Sequence, residues 1–342
     1  MGSEQKLYGS DSTPKDNYAR GLLGVELPEL GKPTKGKVRD SWVIQKHGQP
    51  QRVMVTTDRQ SAYDRFIGTV PGKGKVLNLL SAYCFDQTKD IIPNHVIAVP
   101  HPNVLIARQA RATLPVEVVV RRYMAKSATS TSVYDNYTNA SGRNAEPRRN
   151  IYGIDFPEGL RANEEFPMGT ILTPTTKADK GHDEELTDSR AQEIVDRKLG
   201  DGIWEQAKTA AVAIFERARA DCLVKGLILV DTKYEFGIDE EGNLMLIDEL
   251  HTPDSSRFWL ADTYAEKFES GQTPVTFDKE ILRRALAEQY KFTGEGSVPK
   301  VDQEIFDRMS AAYTMPYEMI AGEKLLEEEM PVRAAVLQYL AN

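Results

Sequence analysis

Two apolar, β-rich runs separated by a turn lie near the middle of this 342-residue chain, and each ends in acidic groups. The first, LVDTKYEFG, covers residues 229–237, and the second, LIDELHTPDSSRFW, covers residues 246–259. Between them, residues 238–243 carry the Gly, Asn and Asp of a hairpin turn. The pattern predicts an antiparallel ribbon. With residues 240–243 as a four-residue loop, Asp239 pairs with Leu244 and Glu235 falls opposite Asp248, their Cβ atoms roughly 5 Å apart. Carboxylates at that spacing repel, so the pairing predicts a positive group between them, and a hard divalent ion is the natural one. The two-residue period of a strand sets Asp231 and Lys233 on the same face as Glu235. Acids, a cation and an ammonium on one face suit phosphate chemistry.

The remaining composition narrows the class. A hydrophobic content of 40 % is enough for one large core or two modest ones. A net charge of -8 and a pI near 5.4 argue against a nucleic-acid surface, and no polyanion partner is expected. Cys84 and Cys222 have no zinc spacing, so a reduced, cytoplasmic setting is expected. Residues 1–18 contain no apolar core of signal-peptide length, and no window approaches the ~20 apolar residues of a membrane span. Neither export nor membrane insertion is expected. The absence of GxSxG, HExxH and GxGxxG argues against simple serine-hydrolase, zinc-protease and dinucleotide chemistry.

Along the chain, a polar segment of residues 1–20, expected to be mobile, precedes a β-rich lobe over residues 21–115 and an α/β lobe over residues 116–342. A strand is predicted to end at Asp58, and an amphipathic helix to begin at Val76 after the turn Gly72-Lys73-Gly74-Lys75. The β-branched run at residues 116–120 predicts a strand buried on both faces and ending at Arg121. Residues 127–166 show no periodicity and are expected to be a long surface excursion. Helices are predicted within residues 188–225, capped by Thr187 or Asp188, and over residues 278–290, 303–321 and 332–340.

Several charged clusters admit both a functional and a plain reading. Gly36-Lys37-Val38-Arg39-Asp40 places two cations on one side of a strand beside a permissive glycine, which suits a nucleotide's phosphates, although lysine-rich loop ends are common on surfaces. Asp58, Ser61 and Asp64 lie in a strand-end cluster that a charged turn with internal ion pairs explains about equally well. Arg121, at the end of a buried strand, needs a fixed anion and could clamp a phosphate, with Ser127 nearby. Lys177, His182 and Asp183 fall in a loop that a solvated charged surface also explains.

Taken in order, GKVRD, DRQSAYDR, VEVVVRR followed by KS, TKADKGHDE, LVDTKYEFG and LIDELHTPDSSRFW resemble the phosphoribosylaminoimidazole-succinocarboxamide synthase, or SAICAR synthetase, family over residues 36–259. The resemblance implies an α+β fold, with a β-rich nucleotide lobe packed on a larger α/β lobe, a helical C-terminal tail, and ATP in the cleft between lobes. It implies ATP- and Mg2+-dependent joining of L-aspartate to an imidazole carboxylate ribonucleotide through an acyl phosphate. Lys37, Arg39 and Glu117 would contact ATP. Glu235 and Asp248 would hold Mg2+, with Lys233 beside the reacting carboxylate. Arg121, Ser127 and Arg257 would bind the ribonucleotide phosphate; Asp58, Ser61 and Asp64 would line the imidazole side, and Lys177, His182 and Asp183 the aspartate side. Two departures stand out: Lys126 occupies the place where the family commonly has Gly before the Ser, and the TKADKGHDE loop is one residue short. A related ligase or phosphotransferase with another acceptor is the alternative.

Overall fold

Alternating apolar residues on either side of His47 and Gly48 build the first sheet. A computed structural model of the chain describes residues 13–127, 131–142, 144, 146–177, 183–277, 280–325 and 330–342. Strand β1 (Thr34–Lys35) leads into β2 (Arg39–Lys46) and β3 (Gln49–Thr56), joined by a two-residue turn in which His47 and Gly48 are both left-handed. A hairpin of β4 (Arg59–Ala62) and β5 (Arg65–Thr69) follows, then helix α1 (Lys73–Thr88), β6 (Val96–His101) and β7 (Val104–Arg108). The sheet order is β1-β2-β3-β7-β6, with antiparallel neighbours. One face packs Trp42, Val53, Val55, Val104 and Ile106 with Leu27. The other carries the cross-strand row Ser41, Met54 and Leu105.

Helix α1 begins at Lys73, three residues earlier than its apolar spacing predicts, because left-handed Gly72 starts it and Asp58 accepts from Gly74 N at 2.7 Å. A Cβ on Gly74 would lie 2.5 Å from Thr56 O, so only glycine lets the helix approach this strand end. The Lys73 side chain is buried against Asp254 at 2.9 Å.

The second lobe is organised by one long strand. After β8 (Ala112–Thr113) and β9 (Val116–Arg121), helix α2 (Val133–Thr138), the small hairpin β10 (Asn150–Ile151) and β11 (Ile154–Asp155), and strands β12 (Ile171–Leu172) and β13 (Thr175–Thr176), the chain forms α3 (Asp188–Leu199) and α4 (Ile203–Val224). Thr187 caps α3, accepting from Arg190 N at 3.2 Å. Strand β14 (Leu227–Ile238) then pairs with β8, β9, β15 (Leu244–Ile247) and β16 (Ser256–Leu260) in a seven-stranded sheet. Helices α5 (Ala261–Glu269), α6 (Glu280–Glu288), α7 (Gln303–Ala321) and α8 (Val332–Ala341) complete the chain.

The main core joins Trp204, Ala207, Ala211, Ile214 and Phe215 of α4 to Val118, Val120, Leu229, Tyr234 and Phe236 of the sheet. A bulge between Leu229 and Asp231 shifts the alternation of β14. Leu227 and Leu229 join the core before it, and Tyr234, Phe236 and Ile238 after it, which leaves Asp231, Lys233 and Glu235 together on the opposite face.

Two segments depart from the sequence pattern. The excursion expected at residues 127–166 holds α2 and a hairpin around an apolar cluster of its own, in which Val133, Tyr137, Ile151, Tyr152 and Phe156 meet Met124, Phe166 and Ile171. Helix α8 does not stay with the larger lobe: Val336 closes the core of the first sheet, and Tyr339 Oη donates to Gln51 at 2.7 Å. Among the described residues, no helix is long and apolar enough to cross a membrane.

Candidate active site

On β14, Lys233 stands between two carboxylates. Its Nζ donates to Glu235 at 2.7 Å and to Glu117 of β9 at 2.9 Å. The β14–β9 register runs from Asp231↔Arg121 to Tyr234↔Val118, so Glu117 is the next residue in line with Glu235. Lys177 adds a second ammonium, 2.5 Å from the other oxygen of Glu235. Burial pushes the Glu235 carboxyl up, but Lys233 and Lys177 outweigh it and hold it at about 2. Lys233 is stabilised as a cation by the same pairing: burial lowers its pKa, and Glu235 and Glu117 raise it further than burial lowers it.

A carboxyl held below its ordinary value of 4.5 contributes stability above that value and loses it as the pH falls toward about 2. The stability difference between wild type and Glu235→Gln is therefore expected to stay level above about pH 5 and to shrink on acidification, as read by urea unfolding across that range. A difference that grew on acidification would refute the assignment.

The ribbon's register corrects the expected pairing. Ile238 pairs with Leu244 and Glu235 with Ile247, so the loop has five residues and Glu235 does not face Asp248. The cause is Asp239, whose carboxylate accepts from Asn243 N at 2.7 Å and so stays in the turn. Asp248 instead follows the strand as a left-handed residue with φ 72°. There it meets Arg39, the first residue of β2, whose Nη1 lies 2.8 Å from Asp248 Oδ1 and 3.1 Å from Asp248 O, while Nη2 lies 3.0 Å from Glu249. Arg39 thus links the first sheet to the end of the ribbon. Burial lowers its pKa, but Asp248, Glu249 and Glu235 raise it overall. Burial also pushes the Glu249 carboxyl up, with Arg39 opposing and Asp248 adding to the rise.

Farther along β14, Asp231 pairs with Arg121 on β9 and with Arg257 on β16. One oxygen, Oδ2, lies 3.3 Å from Arg121 Nη1 and 3.4 Å from Arg257 Nη1. Arg121 also donates to Thr173 Oγ1 at 2.8 Å. Two guanidinium groups thus converge on a single carboxylate. Ser127 lines a cavity together with Arg257.

The other expected residues lie as follows. Lys37 pairs with Asp64 at 2.6 Å, both exposed, so the tip of the β4–β5 hairpin meets the loop before β2. Ser61 is half-buried on β4. Asp58 does not present its carboxylate to these groups: it is buried and accepts from Leu22 N at 2.6 Å and Gly74 N at 2.7 Å, because it anchors the start of α1. Asp183 is half-buried, and His182 lies outside the described residues.

Arg59 and Glu249 were not singled out from sequence. Arg59 is 1 % exposed and binds both Asp40 oxygens, at 2.7 and 3.1 Å, together with the carbonyls of Gly36, Lys37 and Leu23. It fixes the backbone from which Lys37 and Arg39 project. The signal available was the Asp40 in GKVRD, an acid leading a buried strand and in need of a partner. Among the described residues, no group of three or more His, Cys, Asp or Glu could hold a metal ion.

Comparison with known proteins adds the family context. The SAICAR synthetase family model matches residues 32–297. The chain is 41 % identical over 308 residues to a putative phosphoribosylaminoimidazole-succinocarboxamide synthase 2 of Agrobacterium fabrum, covering 89 % of this chain and 91 % of that one. It is 41 % identical over 310 residues to a phosphoribosylaminoimidazole-succinocarboxamide synthase of Legionella pneumophila strain Lens, covering 91 % and 94 %. Among solved structures, it is similar to a SAICAR synthase from Saccharomyces cerevisiae in complex with SAICAR, with TM-score 0.72, 30 % identity, and coverage of 89 % of this chain and 99 % of that one.

Proposed function

The chain belongs to the SAICAR synthetase family and carries out its ATP-dependent joining of L-aspartate to 5-amino-1-(5-phospho-D-ribosyl)imidazole-4-carboxylate in purine biosynthesis, and from that premise we propose how its residues divide the work. The observation that carries the division is the layout of β14, with Asp231 between two guanidinium groups at one point and the Glu117-Lys233-Glu235 chain farther along the same face, Lys233 two residues on and Glu235 four, roughly 7 and 13 Å at strand rise. One ribonucleotide would bridge these points, its phosphate held by Arg121, Ser127 and Arg257 and its carboxylate beside Lys233.

ATP would lie in the cleft under the first sheet. The row of Met54 and Leu105 offers its base an apolar floor, and Lys37, Arg39 and Glu117 would meet its polar parts. A carboxylate is a poor electrophile. One of its oxygens would therefore attack the terminal phosphorus, ADP would leave, and the acyl phosphate so formed would be attacked at carbon by the aspartate amine. The amine loses a proton, inorganic phosphate departs, and the amide remains. The side chains mainly position and neutralise charge. Lys233 would offset the charge of the reacting carboxylate, with Ser61 and Asp64 on the imidazole side and Lys177 and Asp183 on the aspartate side. Hard carboxylate oxygens on Glu235 and Asp248 fit Mg2+, which when bound offsets the charge of the phosphate oxygens.

The test is ADP release measured with ATP, magnesium, the ribonucleotide and a panel of amino acids. ADP formation is expected to require the ribonucleotide, and amide formation to require aspartate. Amide formation with another amino acid in preference to aspartate would move the reading to a related ligase.

A further inference from the structure

A cavity of about 540 Å³ adjoins the Arg121-Asp231-Arg257 row, and its lining includes Ser127, Arg257 and Trp259 together with Lys126 and Arg284. Lys126 is exposed, its backbone N tied to Asn163 Oδ1 at 3.1 Å. Arg284 projects from α6, whose Leu282, Ala285 and Leu286 are buried in the main core. Neither cation has a side-chain partner among the described residues. Asp135, the buried acid of this cavity, has its oxygens on Ser141 N at 2.8 Å and Ser141 Oγ at 2.6 Å, so it answers neither. Glu288 lies one turn beyond Arg284 at the exposed rim.

A phosphate monoester carries roughly -1.5 to -2 charges at neutral pH. Within the row, Asp231 already draws on both guanidinium groups and so competes with that charge for them. Asp135 is turned to Ser141 and Glu288 stands at the rim, so no acid is paired with Lys126 or Arg284 among the described residues, and an anion between the two cations would lower their mutual repulsion. We infer that Lys126 and Arg284 complete the binding site for the phosphate end of the ribonucleotide and set its preference for a dianionic phosphate over the uncharged ribonucleoside. The inference rests on the ligase reading for the identity of the substrate. The site itself requires only an anion.

The experiment pairs steady-state kinetics of Lys126→Ala, Arg284→Ala and the double variant with direct calorimetry of inorganic phosphate binding to each. Each single variant is expected to raise the ribonucleotide KM about three- to tenfold, and the double variant to raise it further than either single one, with kcat and the KM for ATP within about twofold and the melting temperature unchanged. Phosphate binding should weaken in parallel, and its dependence on salt should flatten. A ribonucleotide KM and phosphate affinity equal to wild type in the double variant would overturn the inference. Weakened phosphate binding in the variants of a protein whose wild type forms no amide would support the site and overturn the ligase reading instead.

Discussion

Asp248→Asn is expected to lower the rate of ligation on the order of 10³-fold while leaving the fold intact. The substitution keeps the shape of the side chain and an oxygen that Arg39 can meet, and Arg39 retains Asp248 O and Glu249 as partners. What disappears is one full negative charge at the point where the first sheet touches the ribbon. With it goes one of the two oxygen-bearing acids proposed for the cation. The loss should appear in kcat, be partly relieved as magnesium is raised, and leave the unfolding midpoint close to that of wild type. Near-normal turnover at low magnesium would refute the role. Glu235→Gln makes a useful contrast, because it also releases Lys233 and Lys177 and should cost stability as well as rate.

Arg59→Leu is expected to destabilise the protein by about 3–5 kcal/mol in urea unfolding. Arg59 and Asp40 have side-chain exposures of 2 % and 1 %, so removing the guanidinium strands a buried carboxylate as well as three backbone carbonyls. Replacing both partners with apolar residues should recover a large part of the loss, since the damage comes from the charge left behind rather than from the missing attraction. A loss under about 1 kcal/mol for the single variant would show that water reaches the pair. The variant that folds should also bind ATP more weakly, because Gly36 and Lys37 lose their anchor.

The parts of the molecule that were legible in its sequence are those where burial follows a period. The ribbon, the strand ending at Arg121 and the long helices each write their buried face at fixed spacing. The pattern nonetheless places the ribbon one residue out of register. Nothing in residues 238–243 shows that the Asp239 side chain will hold Asn243, and that one contact moves Asp248 off the ladder. Helix α5 has no legible start, because its N-cap position is Leu260, which has no capping side chain. The excursion looked featureless because its cluster is completed by Met124, Phe166 and Ile171, which lie at or beyond its ends. Buried ion pairs were the least legible: Arg59 and Lys73 look like ordinary charges in turns, and only the fold brings them to Asp40 and Asp254. Within the candidate site, the residue types were readable from sequence, while their grouping was not. Glu117 and Lys177 join Lys233 and Glu235, and Arg39 joins Asp248.

Helix α8 closes the core of the first sheet with Val336, and Lys46 donates to the carbonyl of Tyr339 within it. During synthesis this makes the earliest strands wait for the latest residues. At roughly 5–20 residues per second, the face carrying Trp42, Val53 and Ile106 stays open for tens of seconds after β7 has left the ribosome. Over that interval the nascent chain exposes a flat apolar surface that chaperones can occupy. A stop codon just before Val332 would make that exposure permanent, so a loss of residues 332–342 is an aggregation lesion rather than a trimmed tail.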